Sequence, residues 1–261
     1  MKQKWLLNKK ENKYIDDVDE SIWTSIHKGG YNIWSISPDP KLQQKILKKL
    51  KTIPNERILI IGCGSDVNLQ NMICENLPDV IEIACTDFED VIKIAKTKPN
   101  REKIAYTAMD SRRLTYKDYF DVVICVNSIL SNIDGENRMM VNSCFNALKP
   151  GGNFIGLFPT VMCLMEIESI ERRYNRLKRM FLLNKPRQDI IETTESGNQL
   201  FYSPLLLRRI FFEAHFCITE FEIFFFDSDE AKAQAKKHYV IVDEDILVYE
   251  FFIVAFKNAE Q

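Results

Sequence analysis

The chain has 261 residues, 46% hydrophobic and 28% charged, which suits one large α/β domain with an appendage and excludes disordered, collagen-like and disulfide-scaffold classes. Lys plus Arg number 35 against 37 Asp plus Glu, so a net charge of −2 exerts no general pull on phosphate backbones and argues against a dedicated nucleic-acid binder. Seven cysteines, with no C-x-x-C pair, read as reduced core thiols rather than zinc ligands, and no metal site is expected.

The first residues, Met1 to Asn8, soon reach Lys9-Lys10-Glu11, too short an apolar stretch for a signal peptide. No run approaches the roughly eighteen apolar residues of a membrane span, so no membrane partner and a cytoplasmic location are expected. Residues 1–50 are expected to form an N-terminal helical and aromatic cap, and residues 51–261 the main domain. Within the cap, Trp23, His27, Tyr31 and Trp34 cluster around the Gly29-Gly30 hinge. Aromatic faces suit a cation or a flat organic molecule, and His27 is the best-placed of three histidines to act as a base.

From Arg57 the pattern alternates strand and helix. Ile58-Leu59-Ile60-Ile61 is a continuous apolar run, as a buried parallel strand requires, and Gly62-Cys63-Gly64 closes it with a tight turn. A helix is expected next, through Val67, Met72, Ile73 and Leu77, with Ser65 and Asp66 as candidate caps. Further strands are expected at Val80–Cys85, Ile104–Met109, Asp121–Val126 and Asn153–Phe158, with a helix at Glu136–Leu148 and a turn at Lys149-Pro150-Gly151-Gly152. Residues 160–199 form a substrate-covering insertion, in which Ile170, Tyr174, Leu177 and Phe181 recur at helical spacing opposite a basic face. A helix over Pro204–Ala214 precedes two strands, Cys217–Phe226 and Ile246–Phe256, expected to pair as an antiparallel edge. The alternation implies a doubly wound, mostly parallel sheet.

In such a sheet ligands bind beyond the carboxyl ends of the strands, where strand order reverses. At the first end, the bare backbone of Gly62-Cys63-Gly64 permits close approach of a ligand, and the following helix offers free N–H groups. Some twenty residues later Asp87, with Phe88 beside it, ends the second strand, where a carboxylate can accept both hydroxyls of a ribose. Met109-Asp110-Ser111 end the third strand and are placed to flank an adenine, Asp110 accepting from its amino group. Asn127 follows the fourth strand, at the switch point. A nicotinamide dinucleotide is the competing ligand, but its fingerprint wants a third glycine where Val67 stands.

Over residues 55–160 these blocks, in this order, resemble the class I S-adenosylmethionine-dependent methyltransferases: Ile58-Leu59-Ile60-Ile61-Gly62-Cys63-Gly64, Thr86-Asp87-Phe88, Ala108-Met109-Asp110, Phe120-Asp121-Val122-Val123 and Ala147-Leu148-Lys149-Pro150-Gly151-Gly152. The resemblance implies a Rossmann-like, seven-stranded sheet with an antiparallel C-terminal pair, under a helical lid. It also implies that Gly62 and Gly64 line the methionine moiety of S-adenosylmethionine, that Asp87 holds the ribose and Asp110 the adenine amino group, and that Asn127 lies near the sulfonium. Two positions depart from the pattern: Ile60 stands where an acidic residue is usual, and Ser65-Asp66 where a small pair is usual. Asp66 or the carbonyl of Gly62 then becomes the alternative acceptor for the cofactor's amino group.

The expected reaction is in-line transfer of the methyl group to O, N or S of a small-molecule metabolite, with Trp23, Phe158, Tyr174 and Tyr202 as pocket walls. The competing readings are an RNA or protein methyltransferase, using the arginines of the insertion, and a catalytically inactive methyltransferase-like binding subunit.

Overall fold

The computed structural model describes residues 39–99, 101–126, 134–170, 190–193, 197–233 and 247–258. Its centre is a seven-stranded sheet of β1 (Arg57–Ile61), β2 (Glu82–Asp87), β3 (Ile104–Ala108), β4 (Phe120–Val126), β5 (Leu148–Pro159), β8 (Phe216–Phe225) and β9 (Tyr249–Lys257). A separate hairpin pairs β6 (Ile190–Thr193) with β7 (Gly197–Leu200). The sheet order is β3-β2-β1-β4-β5-β9-β8, and the first five strands run parallel. β9 is antiparallel to both its neighbours and lies between β5 and β8, so the expected C-terminal pair forms with its last strand tucked inside the edge.

Continuous apolar runs fit the central strands because both faces are covered. Ile58 and Ile60 face one core layer, with Leu42, Ile46 and Leu50 of α1 (Pro40–Leu50), Leu69 and Ile73 of α2 (Asn68–Asn76), and Ile92 and Ala95 of α3 (Glu89–Ala95). Leu59 and Ile61 face the other, with Val141 and Cys144 of α4 (Asp134–Ala147) and Leu207, Ile210 and Phe211 of α6 (Pro204–Glu213). The alternation of side chains along a strand thus divides one apolar run between two layers.

α1 starts at Asp39, whose carboxylate accepts from the amides of Lys41 and Leu42 at 2.9 and 3.1 Å. One lysine per turn then reaches the edge strand or the segment just after it: Lys41 pairs with Asp227, beyond the end of β8, Lys45 with Glu222 and Lys49 with Glu220. The falling partner numbers mean that α1 runs antiparallel to β8, so Asp39 stands at the carboxyl end of the sheet. α1, though inside the expected cap segment, packs its apolar face fully into the main core.

Two glycines show how tight the packing is near β5. The Lys149-Pro150-Gly151-Gly152 turn lies inside the strand as a bulge, the register passing from Phe120↔Leu148 directly to Val122↔Asn153. Gly151 takes a φ of 79°, and a Cβ on Gly152 would come within 2.9 Å of the Lys149 carbonyl oxygen. Farther along, Phe154, Gly156 and Phe158 share one face, and a Cβ on Gly156 would lie 2.5 Å from the Phe158 ring and 2.7 Å from the Phe154 ring. Gly156→Ala is expected to destabilise the protein by about 1–3 kcal/mol, because both rings must leave their rotamers to admit one methyl group. Thermal unfolding measures this, and an unchanged midpoint would mean that the rings repack without strain.

Only part of the expected insertion falls within the described residues. Its helix, α5 (Val161–Ile170), begins earlier than the expected apolar stripe, and it buries Cys163, Leu164, Ile167 and Glu168 while Ile170 is 54% exposed. Tyr174, Leu177 and Phe181 lie outside the described residues. The helix cap after the glycine turn also shifts: Val67 occupies the N-cap of α2, and Asp66 accepts from the Asn68 amide at 2.9 Å as a local turn. Among the described residues, no helix is long and apolar enough to cross a membrane. All seven cysteines are free, and Cys85, Cys125, Cys144 and Cys163 are buried.

Candidate functional site

The strand order reverses direction at β1, whose neighbours are β2 on one side and β4 on the other. The crossovers to β2 and to β4 therefore leave on opposite faces, and a crevice opens beyond the carboxyl end of β1. Gly62 and Gly64 bend the chain there with φ angles of 56° and 66°, a region that costs a side-chain-bearing residue roughly 1–2 kcal/mol. Between them, Cys63 donates its amide to the Thr86 carbonyl at 3.1 Å, which ties the bend to β2.

Asp87 closes β2 and completes this tie. Its Oδ2 accepts from the Gly64 amide at 2.8 Å, and its Oδ1 from the Phe88 amide at 2.7 Å. Each oxygen thus receives one backbone donor and retains a lone pair for another. Burial pushes the carboxyl up to about 6, against the two N–H bonds that favour the charged form. Phe88 is 41% exposed beside it. The Cys63 thiol is held well above its ordinary value by its contact with Cys85 and by burial, so it is a poor nucleophile.

On the next strand, the Met109 amide donates to the Asp87 carbonyl at 3.2 Å, which brings the ends of β2 and β3 to one edge. Met109 and Ser111 are half-buried, and Asp110 is exposed. Asp110 caps the short 3-10 turn Ser111–Arg113, accepting from the Arg112 amide at 2.9 Å. The Arg112 side chain folds back on the same carboxylate, Nε lying 2.9 and 3.0 Å from its two oxygens. Burial alone would raise the Asp110 carboxyl, but the Arg112 bonds and charge outweigh it and hold the group below the usual range. Arg112 also donates from Nη1 to Glu136 of α4. Sequence reading missed Arg112 and Glu136. The Asp110-x-Arg112 spacing is a local signal, but the other end of the bridge lies 24 residues away with no pattern connecting it.

The expected site residues fall into three groups. Gly62, Cys63, Gly64, Asp87, Phe88, Met109, Asp110 and Ser111 share the carboxyl edge of β1, β2 and β3. Phe158 and Tyr202 are core residues, each 1% exposed, with ring centroids 5.6 Å apart in an edge-to-face pair. As packed they have no ring surface to offer a pocket. Trp23, His27, Tyr31, Trp34, Asn127 and Tyr174 lie outside the described residues. Ile60, at the position where an acid is usual, is 3% exposed in the first core layer.

Residues 58–152 match a family described as a methyltransferase domain. The malonyl-[acyl-carrier protein] O-methyltransferase of Bacillus anthracis is 28% identical over 155 residues, which is 59% of this chain and 52% of that protein. The chain thus spans about half the length of this curated relative. Among solved structures, a SAM-dependent methyltransferase from Methanosarcina mazei superposes with a TM-score of 0.58 at 17% identity, over 80% of this chain and 97% of its own. The magnesium protoporphyrin IX methyltransferase of Synechocystis PCC 6803, solved with bound SAH, gives a TM-score of 0.56 at 13% identity over 86% and 85% of the two chains. At such identities these two likenesses concern the fold alone. Sheet order, glycine bend and acidic strand ends agree with the family match, which assigns residues 58–152 to a methyltransferase domain.

Proposed function

We propose that the protein is a cytoplasmic enzyme that transfers the methyl group of S-adenosylmethionine to an O, N or S atom of a small-molecule metabolite. The observation that carries this reading is the Asp87 carboxylate bonded to the Gly64 amide, one acid fixed against the glycine bend. The residues present fit the cofactor. Each Asp87 oxygen keeps a lone pair for a ribose hydroxyl, Gly62 and Gly64 present no Cβ on either side of Cys63, and Asp110 stands one strand farther along for the adenine. When bound, S-adenosylmethionine supplies an electrophilic methyl group on a sulfonium.

The chain's own contribution is alignment. The backbone of Gly62 to Gly64 and the carboxylate of Asp87 hold the donor at the carboxyl end of β1, and a nucleophile presented in line gains from its fixed approach. His27 is proposed as the base for a protonated acceptor, with Tyr31 and Trp34 proposed to bind the cofactor and Trp23 to line the substrate pocket. Asn127 is proposed to flank the sulfonium, and Tyr174 the substrate. The name of the Bacillus anthracis relative, a malonyl-[acyl-carrier protein] O-methyltransferase, favours an oxygen acceptor, which in that protein belongs to a malonyl group on a carrier protein.

A second reading, a binding subunit without turnover, is favoured by Ile60, which puts a buried aliphatic side chain where an acid would receive the cofactor's amino group. Calorimetric titration with S-adenosylmethionine, followed by a transfer assay against small organic acids, tests both. Binding at one site with methylated product supports the enzyme. Binding with no transfer to any acceptor favours the second reading, and the absence of both heat and a thermal shift defeats both.

A further inference from the structure

Asp110 has more partners than a simple adenine contact requires. Its Oδ1 takes the Arg112 amide and Arg112 Nε, both at 2.9 Å. Its Oδ2 takes Nε at 3.0 Å and Nη2 at 2.9 Å. The remaining guanidinium nitrogen, Nη1, donates to Glu136 in the first turn of α4. All three side-chain nitrogens of Arg112 are therefore committed to the two carboxylates. Glu136 is only 18% exposed, so the far end of the bridge is anchored on a packed helix rather than in water.

Without this bridge the Asp110 side chain would keep only its cap bond from the Arg112 amide. It stands on a short exposed turn, 41% accessible, where an aspartate can rotate out to solvent at little cost. A planar fork on both of its oxygens, tethered at its other end, removes that freedom. Three hydrogens, on the Arg112 amide, on Nε shared between both oxygens and on Nη2, engage a carboxylate with about four lone-pair sites, which leaves one for a further donor. That position suits the exocyclic amino group of adenine, which donates. It repels the oxygen of a 6-oxopurine, since an ionised carboxylate accepts and cannot donate. A carboxylate free to turn away relieves this repulsion, whereas a fixed one imposes it. Rejection of the wrong base thus depends on the group being held.

From this geometry we infer that Arg112 is a positioning residue which, by bracing Asp110 against Glu136, sets the selectivity of the site for adenine over 6-oxopurines. The inference rests on the assignment of Asp110 to the adenine amino group, and the test keeps the two apart.

The test compares calorimetric affinities of the full chain for S-adenosylhomocysteine and for its inosine analogue, which carries a 6-oxo group in place of the 6-amino group. Wild type is expected to prefer the adenosyl ligand by about a hundredfold. R112A is expected to narrow that preference by about tenfold, with the adenosyl ligand still bound. A merely structural loss would weaken both ligands alike and leave their ratio unchanged, and that result in R112A would overturn the inference. D110N separates the two claims. If D110N collapses the ratio and R112A does not, Arg112 has no such role while Asp110 keeps its own. If D110N leaves the ratio unchanged, the assignment of Asp110 and the inference fall together. Thermal unfolding checks that each variant is folded. If R112A is not, R112K keeps the stem and the charge without the fork, and its ratio is judged by the same criterion.

Discussion

Asp87→Ala is expected to weaken binding of S-adenosylhomocysteine by about 2–3 kcal/mol, roughly a hundredfold in Kd, because a charged acceptor of two ribose hydroxyls is lost. The same change leaves the Gly64 amide without its 2.8 Å partner, so the bend loses its tie to β2 through this side chain. Titration calorimetry measures the loss, and an affinity within twofold of wild type would remove Asp87 from the site. The pH dependence follows from the same group. Its carboxyl is raised by burial to about 6, so the ligand-free protein takes up a proton there as pH falls below that value. A protonated Asp87 is a poorer acceptor for the ribose, so affinity is expected to fall as pH drops through 6, by up to about tenfold per unit. Asp87→Asn should bind weakly at every pH and show no such slope. The contribution to folding has the opposite trend. A native-state value raised above the ordinary 3.8 makes this group's contribution fully present below that ordinary value and lost as pH rises through about 6. The cost of burying this charge at neutral pH is borne by the fold, and the ionised carboxylate is the form proposed to hold a ribose.

Phe158→Ala is expected to cost about 3–5 kcal/mol of stability, or some 10 °C in Tm, more than the Gly156→Ala change beside it. The ring is 1% exposed and wedged edge-to-face against Tyr202 and Phe211, at centroid distances of 5.6 and 5.8 Å, so its removal leaves a hole that rigid neighbours cannot close. Denaturant unfolding measures the loss. A ring serving mainly as a substrate wall would show the reverse pattern, a raised KM with stability near wild type. A loss below about 1 kcal/mol would place the ring outside the core.

These two residues mark the boundary of what could be read from one dimension. Asp87 was legible because its meaning is local: it ends an apolar strand run, some twenty residues after a glycine turn, and parallel strands carry such ends to one edge whatever surrounds them. The strand and helix alternation, the two-sided core of β1 and β4 and the pairing of the last two strands were legible for the same reason, since hydrophobic period and turn residues act over a few positions. The position of Asp110 belongs to this class, but its partners do not.

Phe158 was not legible as a core ring. In a strand that enters the crevice region an aromatic can face ligand or protein equally well, and only the arrival of α6 and Tyr202 on that face assigns it to the core. The placement of β9 between β5 and β8 was decided in the same way, because an edge position and an inserted one have the same local pattern and differ only in which backbone groups are left to pair. The Lys149-Pro150-Gly151-Gly152 segment reads as a turn from its residue types, yet the parallel neighbour β4 draws it into the ladder as a bulge. The Arg112 bridge to Glu136 needs α4 to dock beside the end of β3. Sequence by itself determined the scaffold, its crevice and the acids at its rim, because those follow from short-range period and spacing. Tertiary structure alone decided which of these groups brace one another, which rings are sealed inside and which strand lies within the edge, because those depend on contacts between segments far apart in the chain.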